Sequence, residues 1–119
     1  MTRHNFKKLQ IWEDSMSLID DSYALTKSFP DYEKFGLTSQ MNRCAVSIAS
    51  NIAEGSSKST DKHFLNYLES SLGSAFEWET QLIVCKRQKY IEENMFSDLE
   101  KRVTVLQSKI SNFMDRLKK

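Results

Sequence analysis

Apolar residues spaced alternately by three and four recur along nearly the whole chain, and this spacing restricts its fold more than any other feature. The run Phe96, Leu99, Val103, Leu106, Ile110, Phe113 and Leu117 shows it most cleanly. Steps of three and four keep side chains on one side of an α-helix, whereas a half-buried strand alternates at every second residue. A helix with such a seam packs lengthwise against other helices. The same spacing joins Leu37, Met41, Cys44, Ala45, Ile48, Ala49 and Ile52 in a central helix around which the rest is arranged. Thr38 or Ser39 is placed to cap its start, and Gly55 to close its end in the left-handed conformation. A polar stripe of Gln40, Arg43, Ser47, Asn51 and Glu54 follows one flank.

The pattern predicts helices over about 9–29, 38–54, 61–90 and 96–117. Pro30 ends the first, Asp31 and Glu33 favour the start of the second, and Ser59, Thr60 or Asp61 caps the third. Three glycines and one proline in 119 residues leave little material for hairpins or linkers. The fold class that follows is all-α: one domain, an antiparallel up-down-up-down four-helix bundle.

Two of these helices carry more apolar surface than a bundle core needs. On the first, Leu9, Trp12, Met16, Ile19 and Tyr23 form one seam, assigned to the core. Ile11, Leu18, Leu25 and Phe29, interleaved with Ser15 and Ser22, form a second, assigned to an oligomer interface because a small bundle buries one side of each helix. The third helix has a wide arc centred on Phe64, Leu68, Leu72, Ala75 and Leu82, with Tyr67 and Trp78 on one shoulder as surface for a partner protein. Gly73, in a run of small residues, reads as a site of close backbone approach. Glu79 projects from the arc and needs a partner; the start of the central helix, with Gln40 and Arg43, is the nearest expected.

The chemistry of an active site is missing. His4 and His63 stand in no metal-binding spacing, and no phosphate-cradling or nucleophile motif is present. No catalytic residue, cofactor or metal is therefore expected. Cys44 and Cys85 form no disulfide framework, no apolar run reaches the ~18 residues of a membrane span, and the polar start lacks a signal-peptide core. These features point to the cytoplasm. The formal charge of +1 advertises no polyanionic partner in bulk, yet bases gather in three places: Arg3, His4, Lys7 and Lys8; Lys58, Lys62 and His63; Lys86, Arg87 and Lys89. In one subunit each is ordinary solvated charge or an offset to a helix dipole. Repeated around an oligomer, such weak phosphate contacts add up. RNA or DNA is thus the expected partner, with Arg43, Lys58, Lys62, Lys86, Arg87 and Lys89 as candidate contacts and a partner protein as the alternative.

The segments LQIWEDSMSL, FPDYEKFGLTSQMNRCAVSIASNIAEG and FLNYLESSLGSAFEWETQL resemble the bacterial 23S rRNA-intervening-sequence proteins, with SIASNIAEG the most specific part. Where that family usually carries paired basic residues before the SI, this chain has Asn42 and Arg43. The resemblance implies a left-handed antiparallel four-helix bundle assembled as a homopentamer, without established catalysis. More distant relatives, accessory proteins of diversity-generating retroelements, are similar pentamers that bind nucleic acid and a reverse transcriptase. The family's motif positions fall here on Arg43, Ser47, Asn51, Glu54, Gly55, Gly73, Ser74, Glu77 and Glu79, which read as architectural.

Overall fold

The computed structural model describes residues 3–119. Four α-helices account for most of them: α1 (Gln10–Thr26), α2 (Leu37–Ser56), α3 (Asp61–Arg87) and α4 (Glu93–Leu117), with 3-10 turns at Phe6–Lys8 and Asp31–Glu33 and no strand among the described residues. Side-chain pairings run in opposite directions along each neighbouring pair. In α2 and α3, Met41 meets Cys85, Ile48 meets Ser71, and Gly55 meets Phe64. In α3 and α4, Phe64 packs edge-on against Phe113, Glu79 meets Gln107, and Lys86 pairs with Glu93. Asp14 with Lys109 and Asp21 with Arg102, both at 2.9 Å, tie α1 to α4 in the same opposed sense.

Local chemistry sets the helix ends. Thr60 Oγ1 accepts the backbone N–H of His63 at 3.2 Å and starts α3. Glu33 starts α2: its Oε1 accepts Leu37 N–H at 3.2 Å, while Thr38 and Ser39 lie inside the helix. The same carboxylate accepts the Tyr90 hydroxyl on Oε2 at 2.9 Å, which fastens the turn after α3 to the turn before α2. At the end of α3, Tyr90 N–H reaches Cys85 O and Lys89 N–H reaches Lys86 O, with Lys89 at φ 65°. That is a Schellman closure with lysine where glycine is usual. α1 stops three residues short of Phe29, since Ser28 N–H and Phe29 N–H bond to Leu25 O and Thr26 O and tighten its last turn ahead of Pro30.

The two seams of α1 exchange roles. Ile11, Leu18, Leu25 and Phe29 lie in the core with Ser15 and Ser22, so they are not an oligomer interface. Met16 and Tyr23 are exposed by 37% and 48%, and Leu9, Trp12 and Ile19 are half-buried. The reason is a chain of hydrogen bonds that only the serine-bearing seam can complete. Trp78 Nε1–H donates to Ser22 Oγ (3.1 Å), Ser22 O–H to Asn42 Oδ1 (2.9 Å), Asn42 Nδ2–H to Thr26 Oγ1 (3.0 Å), and Thr26 O–H to Tyr23 O (3.3 Å). Trp78 is thereby fully buried and offers nothing to a partner protein.

Two glycines also differ from expectation. Gly55 is helical rather than left-handed, and a Cβ there would sit 2.6 Å from Tyr67 Cβ and 2.9 Å from Phe64 Cδ1. It, not Gly73, marks the close approach of two helices; a Cβ at Gly73 would meet nothing within 4 Å. Glu79 is half-buried and accepts Gln107 Nε2–H at 2.9 Å, so its partner lies on α4 and not at the start of α2.

At about 100° per residue, the exposed seam of α1 lies on the flank where Ser22 and Thr26 meet α2. On α3, Phe76 (53% exposed), Ile83, Leu65 and Leu72 lie on the flank where Glu79 meets α4. The bundle therefore carries two different apolar seams, one on its α1–α2 side and one on the opposite α3–α4 side.

Candidate nucleic-acid interface

Three stretches far apart in sequence meet at one end of the bundle. His4 N–H donates to Ser56 O at 3.2 Å, and Arg3 Nε–H to Ser57 O at 2.6 Å, so the N-terminal segment lies against the turn between α2 and α3. The His4 ring stands 5.0 Å from that of Phe64 and 6.0 Å from that of Phe113, which brings in the end of α4. Cationic head groups lie over aromatic faces there: the Lys58 ammonium over Tyr67 at 5.0 Å and the Arg116 guanidinium over Phe113 at 5.8 Å. Arg3, Lys7, Lys8, Lys58, Lys62, Arg116, Lys118 and Lys119 stand at this end against Glu13, Glu54, Asp61 and Asp115. Eight cations face four carboxylates, in a chain whose net charge is only +1. The near-neutral total thus conceals a strongly asymmetric field, positive at one end and negative over the remainder.

Of the six residues singled out for phosphate contact, only Lys58 and Lys62 fall within this cluster. Lys86, Arg87 and Lys89 sit at the other end of α3, whose 27 residues span roughly 40 Å. There Lys86 is held by Glu93 at 3.1 Å and lies over Phe96, while Lys86 and Arg87 occupy the last turn, where positive charge offsets the helix dipole. Arg43 projects from the middle of α2 into a shallow cleft with Gln40, Ser47, Ser74 and Glu77, away from either end. The cleft is a structural joint. Ser47 and Ser74 hydroxyls are 3.0 Å apart, Asn51 Nδ2–H donates to Ser47 O and Oγ, and Cys44 Sγ–H donates to Ser74 O. Burial, with Glu77 adding to it, pushes the Cys44 thiol up to about 12, so it remains a protonated, unreactive group. Glu54 and Glu77 are exposed and belong to no ion pair among the described residues.

The C-terminal bases Arg116, Lys118 and Lys119 were not singled out from the sequence. Their signal was present in the topology, since α4 running opposite to α1 returns its end to the basic start of the chain. Among the described residues no group of histidine, cysteine, aspartate or glutamate is arranged to hold a metal, and no helix is long and apolar enough to cross a membrane.

Residues 7–112 match the model of a family described as 23S rRNA-intervening sequence protein. Among solved structures, the chain is similar to a protein of unknown function from the S23 ribosomal protein family of Bacteroides thetaiotaomicron VPI-5482. The two superpose with a TM-score of 0.80 at 23% identity, over 87% of this chain and 97% of that one. At that identity the likeness is one of fold. No curated protein matches the chain.

Proposed function

The chain belongs to the 23S rRNA-intervening sequence protein family, and from that premise we propose that it is a non-catalytic binding protein that assembles with copies of itself and holds RNA or DNA at the basic end of the bundle. The observation that carries this reading is the convergence of residues 3–8, 56–63 and 113–119 into one cationic surface. Eight cations on one end of a 47 × 25 × 19 Å molecule match a phosphate backbone far better than a catalytic cleft, for which no metal-ligand group is assembled among the described residues.

Self-assembly is supported by the two unlike apolar seams. Met16 and Tyr23 on one side and Phe76 and Ile83 on the opposite side suit a head-to-tail contact, in which each copy's α1–α2 side meets the next copy's α3–α4 side. Such contacts close into a ring when the rotation permits, and the family resemblance implies five copies. In a ring with the bundle axes aligned, every basic end lies on the same rim. Weak contacts repeated around it yield an affinity that no single subunit has.

The test is fluorescence anisotropy with labelled structured RNA and duplex DNA at several salt concentrations. Affinity is expected to fall steeply with salt. Lys58→Glu with Lys62→Glu is expected to abolish it, whereas charge reversal at Arg87 and Lys89 leaves it within about twofold, since those residues lie at the far end. No binding at low salt, or equal losses from both pairs, overturns the reading.

A further inference from the structure

Within the basic end, between the N-terminal segment, the start of α1 and the end of α4, lies a cavity of about 340 Å³. Its walls are His4, Leu9, Gln10, Phe113, Arg116 and Leu117. The volume falls near the lower bound of small-ligand pockets, enough for one planar ring system with its sugar. The lining is mostly apolar, with a few polar groups converging on it, the usual composition of a pocket that orients a ligand. Phe113 is buried against Phe64, the His4 ring and the Arg116 guanidinium, so the half-buried His4 ring is the aromatic surface left to a ligand. Gln10 Nε2–H is engaged by Asp14 at 2.9 Å, which orients the amide and leaves its carbonyl oxygen to accept a further bond.

We propose that this cavity receives a single unstacked nucleobase, so that the ligand of the basic end is a single-stranded or locally opened nucleic acid and not a continuous duplex. The proposal rests on the reading given above and names the ligand class for the same surface. Two features on one site favour a nucleotide over an apolar ligand of equal size. The His4 ring and the apolar side chains beside it give a base of any identity a surface to stack on, with the Arg116 guanidinium in the same lining. Arg116 supplies a cation in the lining itself, and the exposed Lys7, Lys8 and Lys118 are adjacent in sequence to the lining segments. A base paired within a helix cannot enter, because its faces are covered by its neighbours. Entry therefore selects loops, ends and single strands. The pocket imposes little base preference, since every base presents a π-face and the one oriented polar acceptor is Gln10.

The experiment compares three labelled probes against the intact protein at low salt: a twelve-nucleotide single strand, the same strand carrying abasic sites along its length, and the matching duplex. Stacking of even one base raises affinity for the base-bearing strand over the abasic one by at least about fivefold. The combined change of His4→Ala and Gln10→Ala is expected to erase that difference while duplex binding changes by less than about twofold, because phosphate contacts by the lysines remain. As a check free of mutations, a nucleoside monophosphate titrated into isotopically labelled wild-type protein should move the His4 ring and the Leu9 and Leu117 methyl resonances, with Val46 methyls unmoved. Equal binding of base-bearing and abasic strands overturns the pocket and leaves the cationic surface standing. Absence of binding to all three probes overturns both.

Discussion

Gly55 and Gly73 both lie inside helices, and replacing each with alanine should change stability in opposite directions. Alanine gains about 1 kcal/mol of helix propensity over glycine at either position. At Gly73 nothing opposes that gain, because the new methyl enters open space. At Gly55 the methyl would lie 2.6 Å from Tyr67 Cβ and 2.9 Å from Phe64 Cδ1, closer than carbon atoms approach in packed interiors. Tyr67 Cβ is fixed to the α3 backbone and Phe64 is fully buried, so neither can swing aside and α2 must move away from α3. Overpacking of this kind costs about 3 kcal/mol at the upper end of its usual range. The net change is then a loss of about 2 kcal/mol for Gly55→Ala against a gain of about 0.5–1 kcal/mol for Gly73→Ala. For a domain of this size that corresponds to a melting temperature lowered by about 8 °C and raised by about 3 °C. Urea and thermal unfolding followed by circular dichroism, at matched protein concentration so that any self-association weighs equally on both variants, gives both numbers. A shift of the same sign in both variants would refute the argument.

Ser22→Ala removes the acceptor of the buried Trp78 N–H and should cost about 2 kcal/mol, measurable by urea denaturation; a loss under 0.5 kcal/mol would mean the hydrogen-bond chain contributes little. The thiols of Cys44 and Cys85 are both pushed by burial from 9.0 to about 12. The native state therefore retains protons that the unfolded state releases, and stability should be intact below pH 9 and decline as pH rises from 9 towards 12. The companion measurement is thiol labelling at pH 8, which should proceed only as fast as the protein opens; rapid labelling of the folded protein would contradict the burial. Met16→Glu with Tyr23→Glu should reduce the mass measured by light scattering to the 13.9 kDa of one chain while leaving helicity intact. A wild-type protein that already runs at that mass would rule out self-assembly.

Much of the architecture was legible because it rests on local rules. The seams of α2, α3 and α4 and the cap at Thr60 are each carried by a few adjacent residues. The roles of α1's two faces were not legible, because both repeat at helical spacing and the one with the larger side chains, Trp12 and Tyr23, is the one left outside. What settles the matter is the size of a residue 56 positions away: Trp78 needs a small, hydrogen-bonding neighbour, and Ser22 supplies it. Gly55 misled for a related reason, since a glycine near a helix end serves a left-handed cap or a close approach equally well, and only the position of Tyr67 distinguishes them. The candidate site was half legible. Its bases at residues 3–8 and 58–62 stand out as clusters, whereas Arg116, Lys118 and Lys119 join them only through the third dimension.

The hydrogen-bond chain from Trp78 through Ser22 and Asn42 to Thr26 also answers a question of identity. By oil-like character alone, α1 has two acceptable ways to face its neighbours, related by about a third of a turn. A polar chain in which each donor has one matching acceptor admits a single rotation. Three bonds thus encode which way a whole helix looks, and with it which seam is left at the surface. A lineage that exchanged these groups for apolar ones of equal bulk would keep a well-filled interior and lose the instruction that fixes which side of α1 faces outward.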